Sequence, residues 1–222
     1  IGELVARLHR ANGVDVRSGV GVAEVRGAGR VETVVLSDGT ELAADVVVLG
    51  VGSRPATEWL DGSGIDLDNG VVCDATGRTS APNVWAVGDV AFWRGRDGHQ
   101  VRVEHWSNVV TQVRAMVPTM LGRESLHDVA VPAYFWSDQF GHKIQFVGHR
   151  SESDDMVFRE GADGKWGAAW FDAAEQLTAH LSVDSPRHMV QARMAIDRRA
   201  VVDPDAIRDL SAPLQAPAPA VK

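Results

Sequence analysis

Val46-Val47-Val48-Leu49 is the stretch that most restricts what this chain can fold into. Four consecutive apolar residues, three of them β-branched, predict a strand buried on both faces, and such strands belong to the sheets of α/β proteins. The run leads into Gly50-Val51-Gly52-Ser53-Arg54-Pro55, where glycines let a backbone approach a ligand closely. The spacing is Gly-x-Gly-x-x-Pro rather than the dinucleotide Gly-x-Gly-x-x-Gly, so taken alone it favours an ordinary tight turn. A second run, Val84-Trp85-Ala86-Val87, predicts another buried strand and ends in Gly88-Asp89, expected to open a helix. Asp89 is there either as an N-cap or as a carboxylate at a strand end, where α/β sheets bind ligands.

The flanking pattern sets these strands in order. Ile1, Leu4, Val5 and Leu8 recur at helical spacing and Asn12-Gly13 stops them, so the chain opens inside a helix and reads as a piece of something longer. Val14–Val16, 20–26 and 31–37 read as strands, and Asp38-Gly39 is a hairpin signal before 40–43. "SGVGVAEVRGAG" places its glycines among these strands, with no strand-to-helix turn to hold a pyrophosphate. Residues 53–82 are loop-rich with a short strand at Val71-Val72. From Trp106 a helix is predicted, with Val109, Val110, Val113, Met116, Val117, Met120 and Leu121 on one stripe, Pro118 kinking or shortening it and Gly122 stopping it. Beyond about residue 130 the chain becomes antiparallel strands at Tyr134–Trp136, Ile144–Val147, Met156–Phe158, Trp166–Phe171 and Gln176–Leu181. Turns fall at Gly141, Asp163-Gly164 and 172–175, and a closing helix starts at Ser185-Pro186 before a Pro/Ala-rich flexible tail, 215–222.

Composition removes several functions. A formal net charge of −8, from 22 basic and 30 acidic residues in 222, argues against a nucleic-acid-binding surface. The single cysteine, Cys73, excludes a Cys-x-x-Cys redox pair and reads as a buried spectator thiol. The eight histidines show no metal-ligand spacing, and no Gly-x-Ser-x-Gly elbow supports hydrolysis. No apolar run nears the roughly 18 residues of a membrane span, no signal peptide is visible, and the expected location is cytoplasmic.

Three stretches carry chemistry. Asp89 offers acceptors for ribose- or ribityl-type hydroxyls, and N–H groups of its turn suit anionic oxygens. "VEHWSNVVTQ" puts Glu104, His105 and Trp106 at a helix start, whose dipole favours negative charge on a bound ring. Here a first-turn Glu and a core-covering Trp would serve as well. In "VPAYFWSDQFGHKIQFVGH" three consecutive aromatics precede Ser137-Asp138-Gln139 and pack either on an aromatic ring, on an interdomain surface or in a plain sheet core.

In their order, the Gly-x-Gly-x-x-Pro turn, "TSAPNVWAVGDVA", "RVEHWSNVVTQ" and "YFWSDQFGHKIQFVG" resemble the FAD-dependent pyridine nucleotide oxidoreductases. Closest is the ferredoxin reductase group of oxygenase systems, over essentially the whole chain to about Leu214. The resemblance implies an α/β part followed by an α+β part. These are a partial two-dinucleotide-binding fold and a C-terminal antiparallel-sheet interface domain of the reductase dimerisation type. It assigns 1–54 to the second half of an NADH-binding domain, 55–128 to the returning segment of an FAD-binding domain and 129–214 to the interface domain. It puts Gly88, Asp89 and Val90 at the FAD ribityl and phosphate region, and Glu104, His105 and Trp106 against the isoalloxazine. Gly52 falls in the crossover between the two domains, and Trp136 in the segment that closes over the flavin. None of these residues is assigned a catalytic role.

The implied reaction passes hydride from NADH (or NADPH) to FAD, then single electrons to an iron–sulfur ferredoxin serving an oxygenase. Arg94, Arg96 and Arg102 form a local basic cluster that docks an acidic ferredoxin or is simply a solvated loop. Neither of the two dinucleotide fingerprints of such reductases is in the chain, so 1–222 alone is not expected to bind FAD or NADH tightly, and the missing N-terminal half becomes an expected partner. A homodimer is left open. The competing reading is a non-enzymatic dimerisation or partner-binding module left from a truncated reductase; an apoptosis-inducing-factor-like flavoprotein is a third, matching the last motif less well.

Overall fold

A computed structural model of the chain describes residues 1–95, 98, 100–124, 133–161 and 165–214. The expected turn at Asp163-Gly164, the tail 215–222 and Arg96 fall outside them. The chain divides into two compact units, 1–53 and 54–222.

The first unit holds helix α1 (Gly2–Ala11) and a three-stranded antiparallel meander of β1 (Val22–Arg26), β2 (Thr33–Leu36) and β3 (Glu41–Ala43). Asp38-Gly39 makes the expected hairpin: Gly39 donates its N–H to the Leu36 carbonyl at 3.0 Å, and Asp38 accepts the Thr40 N–H at 2.9 Å. Two expectations fail here. Val14–Val16 forms no strand, and Val46–Leu49 is neither a strand nor buried, with Val48 90% exposed. A central strand exists only between hydrogen-bonded neighbours, and among the described residues none pairs with this run. Its apolar sequence is real; no described residue pairs with it or buries it.

The second unit starts with a one-turn 3-10 helix (Glu58–Leu60) and a four-stranded sheet in the order β4 (Leu67–Asp68), β5 (Gly70–Cys73), β6 (Ala91–Arg94), β7 (Gln100–Val101). Only β5 and β6 are parallel. Helix α2 (Trp106–Met120) packs on this sheet, and Leu60, Val71, Cys73, Ala91, Trp93 and Ala115 make the core between them. Burial holds the Cys73 thiol protonated, with its pKa pushed up to about 11, which fits a spectator role.

Three further expectations are corrected in this unit. Val84–Val87 is not a buried strand. Trp85 makes a single bridge to Arg78, and Val84 is exposed. Gly88-Asp89 opens no helix, because the Gly88 carbonyl accepts the Ala91 N–H at 3.0 Å and the chain turns directly into β6. Asp89 is therefore no N-cap. On α2 the buried positions are Gln112 and Ala115, while Val110, Val117, Met120 and Leu121 of the apolar stripe stay exposed. The inward face is selected by the close approach that Ala allows and by a buried partner for Gln112. Pro118 lies within the last turn, where the helix ends two residues later.

The C-terminal sheet is antiparallel in the order β10 (Asp155–Glu160), β11 (Trp166–Phe171), β12 (Leu177–Val183), β9 (His142–Gly148), β8 (Tyr134–Gln139). Helix α3 (Pro186–Asp197) starts where Ser185-Pro186 predicts, although no side-chain bond caps it. It covers one sheet face through Met189, Ala192 and Ala195, over Val147, Val157, Ala169 and Leu177. The other face is aromatic: Phe135 stacks on Phe146 at 5.3 Å, and Phe146 meets Trp170 edge-on at 5.9 Å. Among the described residues no helix is long and apolar enough to cross a membrane.

Candidate functional site

The turn at 88–90 and the start of α2 meet in space. Gly88 takes φ +80°, a conformation that glycine alone adopts cheaply; a Cβ there would meet Val109 Cγ2 at an ordinary 3.5 Å, so conformation rather than space requires glycine. Its N–H donates to Gln112 Oε1 at 2.7 Å. Arg102 ties the same turn to the helix start from the other side. One guanidinium nitrogen donates to the Asp89 carbonyl at 3.4 Å and to the Glu104 carboxylate. The Asp89 side chain is exposed.

His105 occupies the cap position of α2 with extended backbone and no side-chain cap bond. Its pKa is lowered, chiefly by burial, while the Asp89 and Glu104 carboxylates pull it partly back up. The Asp89 carboxylate is therefore within electrostatic reach of this imidazole. His105 Nδ1 is buried and meets no hydrogen-bond partner among the described residues. The ring lies 5.0 Å from Phe135, and Ser107 Oγ donates to the Tyr134 carbonyl at 3.1 Å, so the helix start leans on β8. Trp106, the first helical residue, projects its indole outward at 82% exposed.

Gly88, Asp89, Val90, Glu104, His105 and Trp106 are thus brought into one region. Trp136 is on β8, but on the opposite strand face from Phe135, where it stacks on Tyr134 at 5.8 Å rather than on His105. Gly52 belongs to the first unit; its φ is +89° and a Cβ would meet nothing within 4 Å. The sequence reading missed Gln112, Phe135 as the ring against His105, and the internal role of Arg102. Sequence alone puts Arg102 in a basic cluster that is either a docking patch or a solvated loop; its side chain is only 11% exposed and is joined to Glu104. Gln112 had a signal: it is the polar residue three before Ala115 on the same helical face.

The arrangement presents an acceptor carboxylate, turn N–H groups and an imidazole nitrogen without partners among the described residues, and an exposed indole around one helix start. Residues 1–112 match the family described as pyridine nucleotide-disulphide oxidoreductase, and residues 134–218 match the one described as reductase C-terminal. The chain belongs to the pyridine nucleotide-disulphide oxidoreductase family.

This oxidoreductase-family chain is 32% identical to the ferredoxin–NAD(+) reductase component of the p-cumate 2,3-dioxygenase system of Pseudomonas putida, over 94% of its own length and 50% of the relative's. It superposes on the ferredoxin reductase of the CYP199A2 system from Rhodopseudomonas palustris with a TM-score of 0.86 at 32% identity, covering 96% of this chain and 52% of that one. The covalent complex of putidaredoxin reductase with putidaredoxin gives 0.86 at 31%, covering 94% and 51%. The chain spans about half the length of the curated relatives it matches. The fold is that of the FAD/NAD-linked reductases, represented in part.

Proposed function

We propose that this chain is the C-terminal half of a flavin-dependent NADH:ferredoxin oxidoreductase. In this reading residues 1–54 complete an NADH-binding domain, 55–128 return to an FAD-binding domain, 129–214 form the interface domain and 215–222 the tail. The observation that carries it is the junction of the 88–90 turn with the start of α2, made by Gly88 with Gln112 and by Arg102 with Asp89 and Glu104.

The residues present fit FAD. The Asp89 carboxylate would hold a hydroxyl of the ribityl chain, and the N–H groups of Asp89 and Val90 its phosphate. The uncapped start of α2, at Glu104-His105-Trp106, would face the flavin ring and favour negative charge there. The half-buried imidazole of His105, whose enclosed Nδ1 has no hydrogen-bond partner among the described residues, would be a polar group beside that ring. A bound flavin would supply the redox chemistry that links a two-electron donor, NADH, to a one-electron iron–sulfur acceptor. Trp136 belongs to the segment closing over the cofactor and Gly52 to the crossover.

The relatives above are named as ferredoxin or putidaredoxin reductases, and one is captured in a covalent complex with putidaredoxin. By analogy the electron acceptor of this protein is a ferredoxin serving an oxygenase, in the cytoplasm. Its second partner is the N-terminal half carrying the dinucleotide fingerprints, which would cover the exposed run Val46–Leu49. The polypeptide carrying these residues, isolated from its own cells, should show flavin absorbance and reduce a one-electron dye at the expense of NADH. A colourless, inert preparation overturns the reading.

A further inference from the structure

We propose that Gln112 is a positioning residue that decides which backbone N–H groups the 88–90 turn presents to a bound anionic or hydroxyl-bearing group. Only the nature of what the turn faces rests on the functional reading above; the positioning itself does not. Gln112 is 3% exposed, and its Oε1 accepts the Gly88 N–H at 2.7 Å. A buried N–H requires an acceptor, and no backbone carbonyl serves this one, so a side chain from α2 does. The carbonyls of the turn are engaged as well. That of Gly88 accepts from Ala91 at 3.0 Å, that of Asp89 from Arg102 at 3.4 Å, and that of Val90 from Val71 at 2.8 Å.

Two consecutive donors remain. The N–H groups of Asp89 and Val90 meet no acceptor among the described residues. Successive free N–H groups at a turn form a concavity suited to anionic oxygen. With Gly88 fixed to the helix, the first N–H of the turn is withdrawn and the next two are presented. Gln112 thereby acts through the backbone, without touching the bound group.

Backbone amide exchange by NMR on the 222-residue chain tests this directly. In the unsubstituted chain Gly88 should be protected while Asp89 and Val90 exchange freely. Gln112→Met keeps the length and the apolar stem but removes the acceptor. It should speed Gly88 exchange about tenfold or more, as expected for losing a buried hydrogen bond. Gln112→Glu retains an acceptor and should retain the protection. An unprotected Gly88 in the unsubstituted chain, or unaltered protection in Gln112→Met, overturns the proposal. Should Gln112→Met not fold, the through-hydrogen-bond coupling between the Gly88 nitrogen and the Gln112 side-chain carbonyl decides: its presence supports the proposal and its absence overturns it.

FAD titration of the flavin-stripped polypeptide isolated from its own cells, which on the reading above carries the N-terminal half as well, separates this inference from the functional reading. Added FAD should shift the Asp89 and Val90 amides ahead of Gly88, with affinity roughly tenfold weaker in Gln112→Met. Equal affinity in the variant overturns the positioning role. A stripped polypeptide whose amides ignore FAD sinks the flavin reading, while the exchange measurement still decides for Gln112.

Discussion

The indole of Trp93 fills the space where a side chain at residue 77 would stand. A Cβ built on Gly77 would lie 2.4 Å from Trp93 Cζ2, and Gly77 itself takes φ +80°. The indole nitrogen donates to the Ala86 carbonyl at 2.8 Å, so the ring cannot simply swing away. This contact joins the loop before Trp85 to the sheet that carries the 88–90 turn. Gly77→Ala combines a strained backbone with overpacking and should cost about 3 kcal/mol or more. Denaturant midpoints of the two chains measure it, and a change below about 1 kcal/mol would contradict the geometry.

Arg159 is fully buried, and its guanidinium donates to the carbonyls of Ile207, Asp209 and Ala212. Burial lowers its pKa to about 10, so it stays charged at neutral pH. It fastens the segment after α3 to β10. Arg159→Met should destabilise by about 3 kcal/mol, because three carbonyls lose their donor, that of buried Ile207 among them. Hydrogen exchange should rise first in residues 207–212.

Acid should weaken the C-terminal domain through His180. Burial, then the neighbouring Arg159 and His188, lower its pKa to about 3, and burial chiefly lowers that of His188 too. In the unfolded chain histidine titrates near 6.5, so between there and about pH 3 the unfolded state binds more protons than the folded one. Stability is then full above about pH 6.5 and falls as the pH drops, by up to about 1.4 kcal/mol per pH unit for this one group. Stability measured from pH 7.5 to 4.5 should slope accordingly, and His180→Asn should flatten that slope. An unchanged slope would remove His180 from the account.

Cys73 should resist alkylation in the folded chain, since its thiol is buried and its pKa is pushed up to about 11. Reaction with iodoacetamide should proceed only at the rate of global opening and become fast in denaturant. Rapid labelling of the native chain would show that the core around Trp93 and Ala115 opens locally.

Trp106→Ala should leave stability within about 0.5 kcal/mol, as expected for an exposed residue. On the proposed reading it should still lower electron delivery from the flavin to an iron–sulfur acceptor. Unaltered thermal stability with unaltered turnover would make the indole a bystander.

The five C-terminal strands, the Asp38-Gly39 hairpin and the start of α3 were legible because each is fixed by local alternation and turn chemistry. The order of motifs gave the family. The failures at Val46–Leu49, Val84–Val87 and the α2 stripe have one cause: an apolar run states that a surface wants cover, without stating what covers it. Sequence pattern could bring Asp89 and Trp106 under suspicion separately. It could not bring them together, nor find Gln112, since a hydrogen bond across 24 positions exists only once α2 is laid beside the turn. What the sequence determined by itself is the set of local elements and their apolar faces, governed by near-neighbour periodicity. The tertiary structure alone decided which faces are covered and which N–H groups remain free, because burial and hydrogen-bond satisfaction depend on what the rest of the chain places nearby.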